Sequence, residues 1–221
     1  MKRALIIGAS GGIGSALSEA FSGRGWAVTG LSRREDGVDV TDEAAIESAL
    51  ARFDQPFDLI FVATGALVID GAEPERTIKA VTPEALVNQF RVNAMGPFLV
   101  LKHALRLLPK DRPSTFAALS ARVGSIGDNW IGGWASYRTA KAALNQLLHT
   151  AAIELRRTHK EARVLALHPG TVATDFTAKY AGRHKTVTPN EAAENLAQVI
   201  ETATLEESGG FYDYAFKEIP W

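Results

Sequence analysis

Short, largely unbroken apolar runs alternate with helical stretches along the whole chain, and no other feature restricts the fold so far. The runs read as strands at residues 4–7, 26–31, 57–62, 115–119, 164–167 and 211–214. Between them, helices are read over 13–21, over 42–53 with Thr41 as cap, from Thr82-Pro83 to Leu108, over 134–155 and over 190–202. Pro83 stands at a first helical position, where its missing donor costs nothing. Gly96-Pro97 predicts a kink in the third helix, because an internal proline removes a hydrogen bond. Strands apolar on both faces must be covered on both, and alternation with helices favours parallel pairing. The expected fold is α/β, a doubly wound parallel sheet with helices on both faces. At 221 residues and 46% hydrophobic content, one domain over 1–221 suffices to bury such a core. No repeat and no Pro/Gly/Ser linker divides it.

Composition then narrows the function. Lys and Arg number 24 against 25 Asp and Glu, so the basic excess that nucleic-acid binding needs is lacking. The chain has no cysteine, which removes disulfide scaffolds, thiolate zinc sites and cysteine nucleophiles. Its five histidines lack metal-ligand spacing, and no metal is assigned. Met1 to Gly8 carries too short an apolar stretch for a signal peptide, and no run approaches the roughly 18 apolar residues of a membrane span. A cytoplasmic protein with no membrane or nucleic-acid partner is expected.

Between the first strand and first helix lies Gly8-Ala9-Ser10-Gly11-Gly12-Ile13-Gly14. Glycines there permit a tight turn and let backbone amides approach a pyrophosphate at the positive end of the helix. An ordinary glycine-rich turn would have similar composition, but its place directly between strand and helix favours a dinucleotide site. The second strand ends in Arg33-Arg34, about 20 residues on, where such a fold reads the adenosine ribose. Two arginines suit a 2′-phosphate, so NADP is preferred over NAD, against the plainer reading of a solvated basic turn. Tyr137 and Lys141 lie four apart on one helix face. An ammonium there can favour the tyrosinate and make the phenol a general acid or base, although a surface pair has the same spacing.

In order, the glycine loop, Asn93 in Val92-Asn93-Ala94-Met95-Gly96, Tyr137 with Lys141, and His168-Pro169-Gly170-Thr171 resemble the short-chain dehydrogenase/reductase family. The stretch from Gly124-Ser125-Ile126-Gly127-Asp128-Asn129 through Gly132-Gly133 to Tyr137-Arg138-Thr139-Ala140-Lys141-Ala142-Ala143-Leu144-Asn145 is similar to its C-factor/sniffer-like carbonyl reductase branch. The resemblance implies a Rossmann-type fold and hydride transfer between a nicotinamide and a small carbonyl or alcohol. Tyr137 would protonate the carbonyl oxygen, and Lys141 would lower the tyrosine pKa and hold the nicotinamide ribose. Asn93 would anchor a water relaying protons to Lys141. Asp39 and Val40 would contact adenine, and Pro169, Gly170, Val172 and Thr174 would hold the carboxamide. Residues 171–188 would form a short substrate lid, made basic by Lys179, Arg183, His184 and Lys185. The family's pairing of its two long helices implies a homodimer or homotetramer.

Two departures accompany the resemblance. Where the family has Asn-Asn-Ala-Gly, this chain reads Val62-Ala63-Thr64-Gly65, keeping Gly65 alone. Where the family has a Ser-Ser pair before the catalytic helix, the chain reads Ser120-Ala121. A hydroxyl that polarises the carbonyl would come from Ser120 or Ser125 or be absent. Strand alternation argues against Ser120 unless the chain has already turned, while Ser125 lies in a loop that could reach. Trp130 and Trp134 flank a path for substrate, Trp26 reads as core, and His168 as structural. A catalytically silent, NADP(H)-binding or sensing protein on the same fold is the rival reading.

Overall fold

The computed structural model describes residues 1–174 and 186–221. Six strands form one parallel sheet: β1 (Arg3–Ile7), β2 (Ala27–Leu31), β3 (Leu59–Val62), β4 (Ser114–Leu119), β5 (Ala162–His168) and β6 (Phe211–Asp213), in the order β2-β1-β3-β4-β5-β6. Successive side chains in a strand point to opposite faces, so each strand feeds two cores. Leu5, Ile7, Ile60, Val62, Phe116 and Ala118 face one side and pack with α3 (Glu43–Ala51), α5 (Gly96–Ala104) and α6 (Ala135–Leu155). Ala4, Ile6, Leu59, Phe61, Ala117 and Leu119 face the other, against α1 (Gly12–Gly23) and α7 (Pro189–Thr202). Phe116 is fully buried at the centre of the sheet, so its truncation to Ala removes about 3–5 kcal/mol.

Local chemistry moves several boundaries. Asp42 rather than Thr41 caps α3, its Oδ1 accepting from the amides of Ala44 and Ala45. Thr41 instead gives its hydroxyl hydrogen to Asp39. The Arg33-Arg34 turn is the start of a short helix, α2 (Arg33–Asp36), because Ser32 accepts from Glu35 N while Asp36 accepts from Ser32 N. The kink takes the form of a π-helical turn, Arg91–Met95, between α4 (Pro83–Phe90) and α5. Pro97 has no N–H to give the Asn93 carbonyl four residues back, and the ladder widens there. Helical structure beyond α5 tightens into a 3-10 turn at Leu105–Leu107. Trp134 stands outside α6, as its left-handed cap, with φ 53°.

Among the described residues no helix is long and apolar enough to cross a membrane. Of the expected lid, Thr171 to Thr174 and the stretch from residue 186 are described, with Val172 bridging Val187. Lys179, Arg183, His184 and Lys185 lie outside the described residues.

Candidate active site

With every strand parallel, the carboxyl ends of β1 to β5 open onto one edge of the sheet. The loop after β1 is locked to β2, since Gly8 N and Ala9 N both donate to the Leu31 carbonyl, at 2.7 and 3.1 Å. Gly8 has φ 89°, open to glycine at no steric cost, and a Cβ on Gly14 would stand 2.1 Å from the Gly8 oxygen. This close approach sets the helix start directly behind the exposed Ser10-Gly11-Gly12 stretch. α1 begins with Gly11 as cap, no side chain capping it and no acidic residue in its first turn. Its leading amides are therefore suited to an anion such as a pyrophosphate. Ile13 is half-buried in that first turn, packed against the lower core.

Further predicted cofactor residues follow β2 and β5. A Cβ on Gly12 would meet the Thr174 methyl at 3.0 Å, bringing the segment after β5 beside the glycine loop. Val172 is buried, and Gly170, with φ 81°, lies under the Tyr214 ring. Pro169 joins that glycine to the end of β5. Arg33 is mostly exposed and only loosely paired, its guanidinium 3.9 Å from Asp39. Arg34 is exposed beside it. Asp39 is held below the usual carboxylate range, first by the Thr41 hydroxyl and amide. Val40 is buried against α5, where a Cβ on Gly96 would approach its oxygen to 2.8 Å.

Gly65 marks the place where the predicted chemistry converges. A Cβ there would come within 3.1 Å of Asn93 Oδ1 and 3.6 Å of Lys141 Nζ, so only glycine leaves that junction open. Asn93 is fully buried in the π-helical turn. Its amide nitrogen donates to the carbonyl of Ala66 and to Gln89 Oε1, and its oxygen accepts from Ala66 N. Gln89 in turn donates to the Leu67 carbonyl at 2.8 Å. Thr64, in the family's asparagine stretch, packs its methyl toward Gly8 and has a buried hydroxyl with no hydrogen-bond partner.

One face of α6 carries Tyr137, Lys141 and Asn145 at successive turns, all buried. Lys141 Nζ donates to the Leu119 carbonyl at 2.8 Å and stands 5.8 Å from the centre of the Tyr137 ring. Burial lowers the ammonium's pKa from its ordinary 10.5 to about 7 and pushes the phenol upward. In the chain by itself, desolvation therefore outweighs the pull of the ammonium on the phenol. Ser120 has turned toward α6 and donates to Asn145 Oδ1 at 2.6 Å. Ser125 points elsewhere, donating to the Pro220 carbonyl and accepting from Asp128 N. Ala121, between them, opens a short 3-10 turn, Arg122–Gly124.

Trp134 meets the Tyr137 ring edge to face, with centroids 6.3 Å apart, while Trp130 is largely exposed. Trp26 packs on Phe21, and Trp221 stacks on Phe211. His168 is held neutral by burial and by Arg122, its pKa lowered to about 4, with one ring nitrogen buried and unpartnered. Sequence reasoning passed over Gln89, Asn145 and Glu75. Gln89 and Asn145 each stand four residues from a predicted site residue on the same helix, which was the available signal; Glu75 had none.

Known proteins resemble this chain in sequence and in fold. The family model described as enoyl-(acyl carrier protein) reductase matches residues 8–211. A 1-hydroxy-2-glutathionyl-2-methyl-3-butene dehydrogenase of Rhodococcus sp. (strain AD45) is 31% identical over 227 residues, covering 96% of each chain. Among solved structures, a Burkholderia multivorans protein with bound NADP aligns at a TM-score of 0.84 and 27% identity, over 100% of this chain and 99% of that one. The carbonyl reductase Sniffer of D. melanogaster has the same fold, with a TM-score of 0.83 at 21% identity over 100% of both chains.

Proposed function

The chain belongs to the short-chain dehydrogenase/reductase family of nicotinamide-dependent oxidoreductases, and from that premise we propose that it is an NADP(H)-dependent reductase of small carbonyl compounds, or a dehydrogenase of the corresponding alcohols. The observation that carries this reading is the meeting of Asn93 and Lys141 at Gly65, with Tyr137 one turn from Lys141 on the same buried face.

The uncapped start of α1 with Ser10, Gly11 and Gly12 would hold the pyrophosphate, and Arg33 with Arg34 the 2′-phosphate. Asp39 and Val40 would face the adenine, and Pro169, Gly170, Val172 and Thr174 the carboxamide. A bound nicotinamide would supply or accept the hydride. The proton chemistry belongs to the chain. Tyr137 gives its phenolic proton to the carbonyl oxygen in reduction and takes it back in oxidation. Lys141, poised near neutrality by burial, favours the tyrosinate whenever it is charged and holds the ribose hydroxyls. Asn93 has both amide hydrogens committed to protein acceptors, so it would meet a relay water through an oxygen facing the Lys141 side. Ser120, tied to the face that carries Tyr137, is the serine we assign to the substrate oxygen; Ser125 serves the fold.

We further propose a cytoplasmic protein, and a homo-oligomer because α4 exposes Leu86, Val87 and Phe90 and α6 exposes Ile153. The rival reading, an NADP(H)-binding protein without turnover, draws on Ala121 and on both serine hydroxyls being bonded to other protein groups. One assay separates the two: oxidation of NADPH and NADH against aldehydes, ketones and quinones, with Tyr137→Phe as control. NADPH binding without any carbonyl-dependent oxidation would leave only the rival.

A further inference from the structure

The first turn of α6 is built against local preference. Gly132, Gly133 and Trp134 take positive φ in succession, at 69°, 68° and 53°. Trp134 has no side-chain oxygen to cap a helix, and no acidic residue lies in the first turn. The missing acceptor comes from far away in sequence. Glu75 accepts from Trp134 N through its backbone carbonyl, at 2.6 Å, and from Ser136 N through carboxyl Oε2, at 3.4 Å. It is 6% exposed, and its Oε1 is buried with no hydrogen-bond partner. From the opposite side, the Arg138 guanidinium donates to the carbonyls of Val123, Gly132 and Gly133.

A buried carboxyl with an orphan oxygen is costly, and so is a left-handed tryptophan. Both occur where the backbone leads into Tyr137, whose ring Trp134 touches and whose preceding amide Glu75 holds. A cap serving stability alone needs neither, because Ser, Thr or Asp at position 134 would supply an acceptor locally. We propose that Glu75 is a positioning residue for the proposed proton transfer: by fixing Trp134 and the Ser136 amide, it sets where the Tyr137 hydroxyl stands relative to Lys141. The inference rests on the reductase reading above. It adds a residue from the loop before α4 that acts through the start of α6.

The test compares Glu75→Gln, which keeps an acceptor for Ser136 N, with Glu75→Leu and Glu75→Asp, which remove it or draw it out of reach. The readouts are NADPH affinity, steady-state reduction of 9,10-phenanthrenequinone, and amide hydrogen exchange at Ser136 and Tyr137. In the Leu and Asp variants kcat should fall about 10- to 100-fold, the loss that small misplacement of a reacting group causes. NADPH affinity and KM should stay within about twofold, and the two amides should exchange faster. Glu75→Gln should recover most of kcat. Parental turnover in both Leu and Asp variants would overturn the proposal. So would a loss of cofactor affinity and melting temperature in step with kcat in all three variants, which is the mark of a merely structural residue. If the parent binds NADPH but reduces no carbonyl, the function reading fails on its own. Exchange at Ser136 and Tyr137 then decides the role of Glu75, and unchanged rates in Leu and Asp variants would refute it.

Discussion

Ser125 donates its hydroxyl hydrogen to the carbonyl of Pro220, 95 positions away in sequence, at 2.5 Å. The adjoining Gly127 amide donates to the Trp221 carbonyl at 2.7 Å, so the loop before α6 is fastened to the far end of the chain. Ser125→Ala should therefore cost about 1 kcal/mol of stability and leave kcat nearly unchanged. Ser120→Ala should lower kcat at least tenfold, in line with loss of a donor to a developing oxyanion. Urea unfolding and steady-state kinetics on both variants check the pair. An equal kcat loss in Ser125→Ala would reverse the assignment.

Tyr137→Phe keeps the ring against Trp134 and removes only the phenolic hydroxyl. Turnover should fall about 10²- to 10⁴-fold while NADPH affinity stays close to the parent value. Fluorescence titration beside the kinetic assay separates these effects. A variant retaining a tenth of parental kcat would remove Tyr137 from the proton step.

Arg33 is exposed and held only loosely by Asp39, leaving its guanidinium available to a phosphate. Arg33→Asp should reduce the NADPH to NADH preference by about 10- to 100-fold, the size of one charge-assisted contact. The parental preference should weaken as salt rises, because the pair is solvent-screened. An unchanged ratio of kcat/KM for the two cofactors would contradict the role.

His168 gives a pH test of the fold itself. Burial lowers its pKa from an ordinary 6.5 to about 4, so between those values the unfolded chain binds a proton that the folded chain refuses. Stability contributed by the neutral imidazole is thus fully present above about pH 6.5 and lost as pH falls to about 4, by up to ~3 kcal/mol. Unfolding midpoints from pH 4.5 to 7.5 should show the slope in the parent and a flatter line in His168→Gln. Identical slopes would show that other groups govern acid unfolding.

Lys141 works in the opposite range. Its folded pKa of about 7 lies below the ordinary 10.5, so the unfolded chain binds more protons across that window and stability rises with pH through it. Lys141→Met should remove this rise and, at pH 7, unfold no more readily than the parent. Melting temperatures at pH 7, 8 and 9 provide the measurement.

Much of the architecture was legible because parallel strands buried on both faces leave almost no freedom of composition: Leu5, Ile6 and Ile7 are apolar for two different cores. Position and order singled out the glycine loop, Tyr137, Lys141 and Asn93, and the fold brings Asn93 and Lys141 together at Gly65. The bounds of α6 were legible to within a residue, but what shapes its start was not, because the acceptor there is Glu75, 61 positions upstream of Ser136. The choice between Ser120 and Ser125 stayed open for a related reason: strand alternation ends at Leu119, and only the fold shows that the following residue has turned to meet Asn145. The short helix α2 escaped reading because four residues beside a strand resemble a turn until Ser32 is seen accepting from Glu35 N and Asp36 from Ser32 N.

The glycines of the first loop answer to different masters. Gly14 is required by the oxygen of Gly8, and Gly8 by its own backbone and by Ala63 and Thr64; these demands come from inside the protein and persist with nothing bound. Gly11 has only the Gly8 oxygen nearby, at 3.4 Å, and faces outward. A descendant that abandoned its cofactor would still be compelled to keep Gly8 and Gly14, whereas position 11 would be released to drift. Among descendants of such a chain, the residue at position 11 is therefore a better witness to continued binding than the two glycines that first draw the eye.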